Sequence, residues 1–283
     1  MKREKLAAIF FAAATVLGFA TSAGAVDGVI EINQAKVLAA GGFPYTISNT
    51  GSYRLTGNLT IPGSTDGIDV TAAGVTLDMN GFSITSNSGA GTGINNSDGE
   101  ATVENGKIVG FSTGVAGGGF AIIRKVHAEE NSHIGIQAGD NSVIEGCSAS
   151  FNTGATDVGI TCFNGCEISG NVANQNGADG IDCTGIGCVI SRNTAYLNGK
   201  VGINCSGSGC AISGNTADSN GTSGISCGGS GCLISGNTAF SNVTGISAGD
   251  TSTGYGGNVL KNTSSDHSGG TSLGNNLCSG TVC

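Results

Sequence analysis

The chain has 283 residues, of which 52 are Gly, 2 are Pro and 11 are Cys, with 11% charged residues and a net charge of −9. Collagen would need Gly at every third position and abundant Pro, and disordered chains combine low hydrophobicity with high net charge, whereas 38% of these residues are hydrophobic. The many Gly residues disfavour helices and the negative charge disfavours nucleic acid as a partner, so an all-β chain rich in turns remains.

Residues 1–25 have the pattern of a secretory signal peptide. A basic start that includes Lys2 and Arg3 precedes an apolar run from Leu6 to Phe19, and Ala23-Gly24-Ala25 is an A-x-A cleavage site. The alternative, a membrane-spanning helix, needs about 20 apolar residues. We therefore predict cleavage near Ala25, no transmembrane segment in the mature chain, and a secreted or periplasmic protein.

Residues 26–66 are predicted to form an N-terminal cap and the first strands. Glu31 to Ala40, followed by Gly41-Gly42, has the pattern of a short amphipathic helix. Such a helix would hide the open end of a repeat structure.

Residues 67–262 contain a repeat. A Gly followed by Ile or Val recurs at intervals of 21 to 26 residues, beginning at Gly67-Ile68 and ending at Gly245-Ile246. Three units from Gly180 to Asn242 align residue by residue. A period of this length predicts a solenoid, and the leucine-rich alternative lacks Leu at fixed positions.

Each unit has strand-like rather than helical alternation. In Ile181-Asp182-Cys183 a polar residue separates two inward ones, a Gly-rich turn follows, and a second short strand begins near Cys188. A unit of about 22 residues with three short strands cannot close its own core. Stacking as coils of a parallel β-solenoid, about 4.8 Å apart, would bury it.

The repeating unit, typified by the I-S-G-N-T-A run at 212–217, resembles the right-handed parallel β-helix repeat of the pectate-lyase-like superfamily. The resemblance covers about Gly67 to Asn262, and residues 43–84 are similar to the opening coils of secreted bacterial β-helix proteins. It implies a single-domain, all-β, right-handed parallel β-helix. The remaining residues, 263–283, are expected to form a C-terminal tail with one Cys pair.

Asn residues recur at two positions of the unit and are interpreted as structural ladders. Asn tolerates a left-handed backbone and bonds the amides of its neighbours, so a column of Asn would satisfy the bends. The competing interpretation is a row of polar groups that binds a substrate. The two columns, each with a period of 22 residues, are Asn171, Asn193, Asn215 and Asn237, and Asn176, Asn198, Asn220 and Asn242.

Ten of the eleven Cys residues fall into five local pairs, which in an exported protein favours disulfides within coils. Bridges between coils and zinc binding by reduced thiols are the alternatives. Cys147 is left over, at the position of a ladder Asn. The pairs are Cys162 with Cys166, Cys183 with Cys188, Cys205 with Cys210, Cys227 with Cys232, and Cys278 with Cys283.

One group of titratable residues is the candidate catalytic site. His133 lies one coil before Asp157, and Asp179 and Asp182 flank Ile181 in the next coil. Stacking would place nearest neighbours about 5 to 10 Å apart. A His near carboxylates can act as an acid or base, and grouped Asp residues can bind calcium. Solvated turn residues are the alternative interpretation.

The outward residues after each Gly-Ile or Gly-Val include only two carboxylates, Asp69 and Asp182, which stacking would place about 24 Å apart. Paired glycosidase carboxylates lie about 5 to 10 Å apart, so this row alone cannot hydrolyse a glycoside. The absence of Trp also predicts little aromatic surface for sugar rings.

Three functions follow from these observations. The favoured one is a non-catalytic scaffold or binding module for an extracellular polysaccharide or cell-surface glycan, with no cofactor. The second, implied by the resemblance, is a polysaccharide lyase, a glycoside hydrolase-like enzyme or an epimerase-like protein with a site near His133 and Asp157, for which calcium is a possible cofactor. The third is ice binding through Thr194, Thr216 and Thr238, against which the single row of Thr argues.

Overall fold

The computed structural model describes residues 28–96, 99–154 and 156–283. The predicted signal peptide, residues 1–25, lies outside them. The described residues form a β-solenoid of three parallel sheets and one short helix, with 33 strands numbered in chain order. The prediction of an all-β parallel solenoid is therefore confirmed.

The first sheet is formed by the Gly-Ile segments and is parallel throughout. Its strands are β2 (Tyr45–Ile47), β5 (Ile68–Val70), β8 (Thr92–Asn96), β10 (Thr113–Gly117), β12 (Ile134–Gln137), β15 (Ile160–Cys162), β18 (Ile181–Cys183), β21 (Ile203–Cys205), β24 (Ser223–Cys227), β27 (Thr244–Ala248) and β30 (Ser265–Ser268).

The second sheet follows the first within each coil. Its strands are β1 (Val29–Ile32), β3 (Gly51–Leu55), β6 (Val75–Asp78), β9 (Ala101–Val109), β11 (Ile122–Glu129), β13 (Val143–Glu145), β16 (Glu167–Ser169), β19 (Val189–Ser191), β22 (Ala211–Ser213), β25 (Leu233–Ser235), β28 (Gly254–Gly256) and β31 (Thr271–Gly274).

The third sheet completes the coil. It shares the second halves of β9 and β11, which pass through both sheets without interruption. Its other strands are β4 (Leu59–Ile61), β7 (Ser83–Ser86), β14 (Ser148–Ser150), β17 (Val172–Asn174), β20 (Thr194–Tyr196), β23 (Thr216–Asp218), β26 (Thr238–Phe240), β29 (Val259–Lys261), β32 (Leu277–Cys278) and the antiparallel β33 (Thr281–Val282).

The core consists of inward columns that continue from coil to coil. In the regular part Ile lines the first and second sheets, as in Ile181 and Ile190, whereas Ala lines the third, as in Ala195. All three side chains are fully buried. Because side chains alternate between faces, each coil covers the apolar face of the next.

The Gly of the Gly-Ile motif is required by a close approach between coils. A Cβ atom on Gly202 would lie 2.6 Å from the Nδ2 atom of Asn220 and 2.7 Å from the carbonyl oxygen of Gly224. Neither distance leaves room for a methyl group. The repeated Gly that reveals the period is therefore the residue that lets the ladder Asn approach the first sheet.

The N-terminal cap is a helix, α1, that spans Gln34–Ala39. The prediction began the helix at Glu31, but Glu31 and Ile32 belong to β1, because they pair in register with Arg54 and Leu55. Asn33 caps the helix by accepting the backbone N–H of Lys36. The predicted domain limits at 67 and 262 remain predictions.

The cap also covers the edge of β4. The side-chain amide of Gln34 donates to the Thr60 carbonyl at 3.1 Å and accepts the Thr60 N–H at 2.9 Å. This reciprocal pair replaces the hydrogen bonds that a neighbouring strand would make. It thereby protects an edge that would otherwise be free to pair with another chain.

Candidate functional site

His133 and Asp157, which stacking was expected to place about 5 to 10 Å apart, are in direct contact. His133 precedes β12 and Asp157 precedes β15, and Nδ1 of the imidazole lies 3.3 Å from Oδ1 of the carboxylate. The Asp157 side chain is 3% exposed and the His133 side chain is 50% exposed. The other carboxylate oxygen accepts the N–H of Gly154. The carboxylate is thus fixed and orients a half-exposed imidazole, an arrangement that suits a general base.

Asp179 and Asp182 form a second group, which is tied to the following coil. Asp179 accepts the Val201 N–H at 3.0 Å, and the Asn204 side chain donates to Asp179 at 3.2 Å and to Asp182 at 3.1 Å. Burial, and then the charge of Asp179, raise the pKa of Asp182 to about 6, although bonds from Ser206 and Asn204 oppose the rise. Asp182 therefore holds a proton more readily than an ordinary carboxyl group.

The two groups are not joined to each other. Within the described part of the chain, no hydrogen bond or ion pair connects His133 or Asp157 with Asp179 or Asp182. The four predicted residues therefore make two separate pairs on neighbouring coils.

The carboxylate group of Asp179 and Asp182 occurs a second time, and the sequence reasoning missed the repetition. Asp66 and Asp69 precede and follow Gly67-Ile68, just as the first pair flanks Gly180-Ile181. Asp66 accepts the Thr92 N–H at 2.7 Å, and Asn95 donates to Asp66 at 3.4 Å. Burial and the charge of Asp66 raise the pKa of Asp69. The signal was the sequence Asp-Gly-Ile-Asp, which appears in both places.

The outward row of the first sheet has the predicted register. Asp69 lies beside Asn95, and Asp182 lies between Thr161 and Asn204. Five coils therefore separate Asp69 from Asp182, as predicted. The residues between them are uncharged, so neither carboxylate pair is extended along the sheet.

The Asn columns are continuous hydrogen-bonded ladders. Nδ2 of Asn215 donates to the Ile190 carbonyl at 2.9 Å and to Oδ1 of Asn237 at 3.0 Å. Its own Oδ1 accepts the backbone N–H of Asn193 at 2.8 Å and Nδ2 of Asn193 at 3.0 Å. Because both donors and the acceptor are engaged, this buried amide is fully satisfied.

One detail of the ladder prediction is wrong. The left-handed residue at each bend is the one before the ladder Asn, such as Arg192 (φ 56°) and Leu197 (φ 55°). The side-chain oxygen of each ladder Asn accepts two hydrogen bonds from the preceding coil. Asn is therefore required for its side chain and not for a left-handed backbone.

Both ladders are longer than the sequence period revealed. One begins at Cys147, whose N–H donates to Asn171, and the other begins at Phe111, whose N–H donates to Asn131. Coils of 18 to 24 residues at the two ends break the 22-residue spacing and hide the remaining members. Those members are Asn131, Asn152, Asn258, Asn262 and Asn276, and the second ladder ends at Asp266, which accepts the N–H of Asn262 four residues before it.

The five Cys pairs are disulfides, each within one coil or within the C-terminal tail. The first four line the turn between the first and second sheets. Stacking brings Sγ of Cys183 to within 4.8 Å of Sγ atoms of the next bridge, Cys205–Cys210, so metal ligation would require reduction first. Cys147 is a free, buried thiol, and burial raises its pKa to about 12, so it is a poor nucleophile.

In the described ranges, no helix has the length and hydropathy that a transmembrane span requires.

Comparisons with known proteins agree with this architecture. Residues 115–265 match the family described as "Right handed beta helix region". No curated protein matches the chain.

Two solved structures share the fold. The Dettilon tailspike protein aligns with a TM-score of 0.62 and 14% identity over 86% of this chain, which spans 62% of the tailspike chain. The A-module of a mannuronan C-5 epimerase from Azotobacter vinelandii aligns with a TM-score of 0.53 and 14% identity, covering 80% of this chain and 82% of the module. At these identities the likeness concerns the fold alone.

Proposed function

Because the chain belongs to the right-handed β-helix family, we propose that it is an exported, non-catalytic rod whose surface binds an extracellular polysaccharide. The observation that carries this proposal is the parallel, in-register stacking of the coils, which runs through all eleven strands of the first sheet and recurs in the third sheet. Outward side chains consequently form straight rows with a spacing of about 4.8 Å. A regular row of this kind suits a ligand that is itself a repeating polymer.

The disulfides and the hydrogen bonds of the candidate carboxylates support the same proposal. Five disulfides suit an oxidising compartment, as does the predicted signal peptide at 1–25. Asp157, Asp179 and Asp182 each accept hydrogen bonds from their own or the adjacent coil. Asp179 and Asp182 thus link their coil to the next one, and Asp157 fixes a turn of its own coil.

The test is binding of the mature protein, residues 26–283, to a glycan array, followed by titration with the best polysaccharides. We expect saturable binding to at least one repeating polysaccharide and much weaker binding to its monosaccharide, because several rows must be contacted together. Absence of binding across the array by a folded protein would overturn the proposal.

An enzyme remains the second candidate because of the His133–Asp157 contact, and one structural neighbour is a mannuronan epimerase. Here His133 would exchange a proton with a sugar carbon or oxygen while Asp157 orients it. Asp179 and Asp182 offer fewer oxygen atoms than the six to eight that calcium takes, so no step is assigned to calcium. Release of unsaturated or reducing ends, or epimerisation of mannuronan, that His133→Ala abolishes would replace the binding proposal.

A further inference from the structure

The outer face of the third sheet carries two parallel rows of side chains. Its strands β20, β23, β26 and β29 each present their first and third residues outward. The first row contains Thr194, Thr216 and Thr238, which are in register. The second row is also in register and contains Tyr196, Asp218, Phe240 and Lys261.

The two aromatic rings lie on alternate coils of the second row. Tyr196 is 39% exposed and Phe240 is 44% exposed, although neither ring is needed to fill the core. Since one coil separates them, their backbone positions are about 10 Å apart. This distance is close to the advance of two sugar rings in an extended polysaccharide.

The threonines beside them have free hydroxyl groups. Among the described residues, the side chains of Thr194, Thr216 and Thr238 have no hydrogen-bond partner. Each hydroxyl can therefore donate to and accept from a ligand. A row of hydroxyls next to spaced aromatic rings matches a sugar, which has an apolar ring face and polar edges.

Charge distinguishes between classes of polysaccharide. The two rows contain one carboxylate, Asp218, and one ammonium group, Lys261, which lies 5.8 Å from the Phe240 ring centroid. The face is thus close to neutral, whereas the whole chain has a net charge of −9. The negative net charge of the protein would repel a polyuronate, and this face has no cluster of basic side chains to attract one. A neutral polymer therefore fits the face better.

We propose that the third-sheet face from Thr194 to Lys261 binds a neutral, extended polysaccharide along the solenoid axis, with sugar rings stacked on Tyr196 and Phe240. This inference rests on the proposed function and adds the face and the class of ligand to it.

The test uses the mature protein and a panel of soluble and insoluble neutral polysaccharides, with alginate and polygalacturonate as acidic members. The double variant Tyr196→Ala/Phe240→Ala should weaken binding about tenfold or more, since truncation of an anchoring aromatic side chain removes a large share of the binding energy. Tyr196→Phe should keep the affinity, because the ring remains. Binding should also change little with salt, because the ligand is uncharged.

The matched control is Phe163→Ala, which removes an equally exposed ring from the turn between the first and second sheets. It should change affinity less than twofold, and all variants should keep the wild-type melting temperature. This inference would be overturned if the protein bound acidic polymers only, or if the double variant still bound the neutral polymer. In both cases a glycan is bound, so the proposed function would stand. Binding to ice only would also overturn this inference. Absence of any glycan binding would overturn both.

Discussion

Residues 51–130 and residues 147–262 build the same three-sided coil with different side chains. The first region has large core residues such as Leu77, Met79 and Phe111, and its two long strands, β9 and β11, run through the bend between sheets. The second region has Ile, Ala and Cys in the core, and every one of its bends between the second and third sheets contains a ladder residue.

The third sheet shows most clearly how this difference affects hydrophobic stabilisation. Its inward position is Leu59, Ile84 and Ile108 in the first coils and Ala149, Ala173 and Ala195 later. Exchanging Leu for Ala removes about 2 kcal/mol of hydrophobic stabilisation per coil. A six-residue disulfide loop contributes about 2 kcal/mol in the chain-entropy estimate, and the ladder adds satisfied buried hydrogen bonds. Local crosslinks and amide ladders thus offset the smaller core.

Surface ion pairs do not explain the stability of the first region. The pairs Arg54–Asp78, Lys107–Glu129 and Arg124–Glu104 all lie there, but their basic side chains are 42–48% exposed. Exposed pairs of this kind contribute less than about 1 kcal/mol. The large core residues are therefore the main difference.

The largest effect is expected from Asn215→Ala, in the middle of one ladder. The change leaves the Asn193 N–H, the Asn193 side chain and the Ile190 carbonyl without their partner. Each unsatisfied buried group costs about 1 to 3 kcal/mol. Because three groups lose their partner, we expect the free energy of unfolding to fall by about 3 kcal/mol or more. Chemical denaturation measures it.

The control for this variant is Thr216→Ala, one residue later and facing outward. It should change the free energy of unfolding by less than about 0.5 kcal/mol. Hydrogen exchange should show the loss of protection from Asn215→Ala in residues 147–262, with residues 51–130 unchanged. Equal losses in both regions would contradict the distinction between them.

A smaller effect is expected from removing one disulfide with Cys205→Ser/Cys210→Ser. The unfolded chain gains the freedom of one short loop, so stability should fall by about 2 kcal/mol. Mild reduction of the wild-type disulfides should also lower stability. The loss should be confined to the coils that follow Cys162, where the disulfides lie. Thermal melting and hydrogen exchange with and without reductant test this.

Thiol labelling checks the premise. Alkylation of the unfolded protein without reductant should label Cys147 alone. If several thiols of the unfolded protein were labelled, the bridges would be absent. In the native protein Cys147 should resist labelling, because it is buried.

A further effect should be common to both regions, because each has one carboxylate pair. Folding raises the pKa of Asp182 to about 6, above the value of about 3.9 in an unfolded chain. The folded state therefore binds more protons between these values, so this group's contribution to stability is present at low pH and is lost as pH rises through 6. Asp182→Asn should remove that slope.

Asp69→Asn is the matched variant in the first region, since burial also raises the pKa of Asp69. Denaturation midpoints of the wild type and both variants from pH 4 to pH 8 give the comparison. If neither variant differed from the wild type in slope, the paired carboxylates would not be coupled to folding.

The sequence was informative where residues repeat identically and uninformative where different residues share a position. Gly202, Asn193 and Cys205 each belong to a strict column, so period, register and bridges could be predicted from spacing. Tyr196 and Phe240 share a position with Asp218 and Lys261, so no pattern marked the row.

The candidate catalytic residues show the same limit. Spacing could place His133 near Asp157, but the direction of each carboxylate depends on which coil it bonds. Asp157 bonds back to the coil of His133, whereas Asp179 bonds forward to Val201 and Asn204. That choice is made by local packing and divided the predicted group into two pairs.

The strict register of the later coils also bears on how such a chain can change in length. Val201 precedes Gly202 as Ser223 precedes Gly224, and Ile203 and Cys205 pair with the identical residues Ile225 and Cys227 of the next coil. Removing or duplicating residues 202–223 would join equivalent points and leave the cap, the ladders and the tail with the neighbours they require. Duplication or deletion of this segment could therefore lengthen or shorten the rod in steps of one coil, with both ends unchanged.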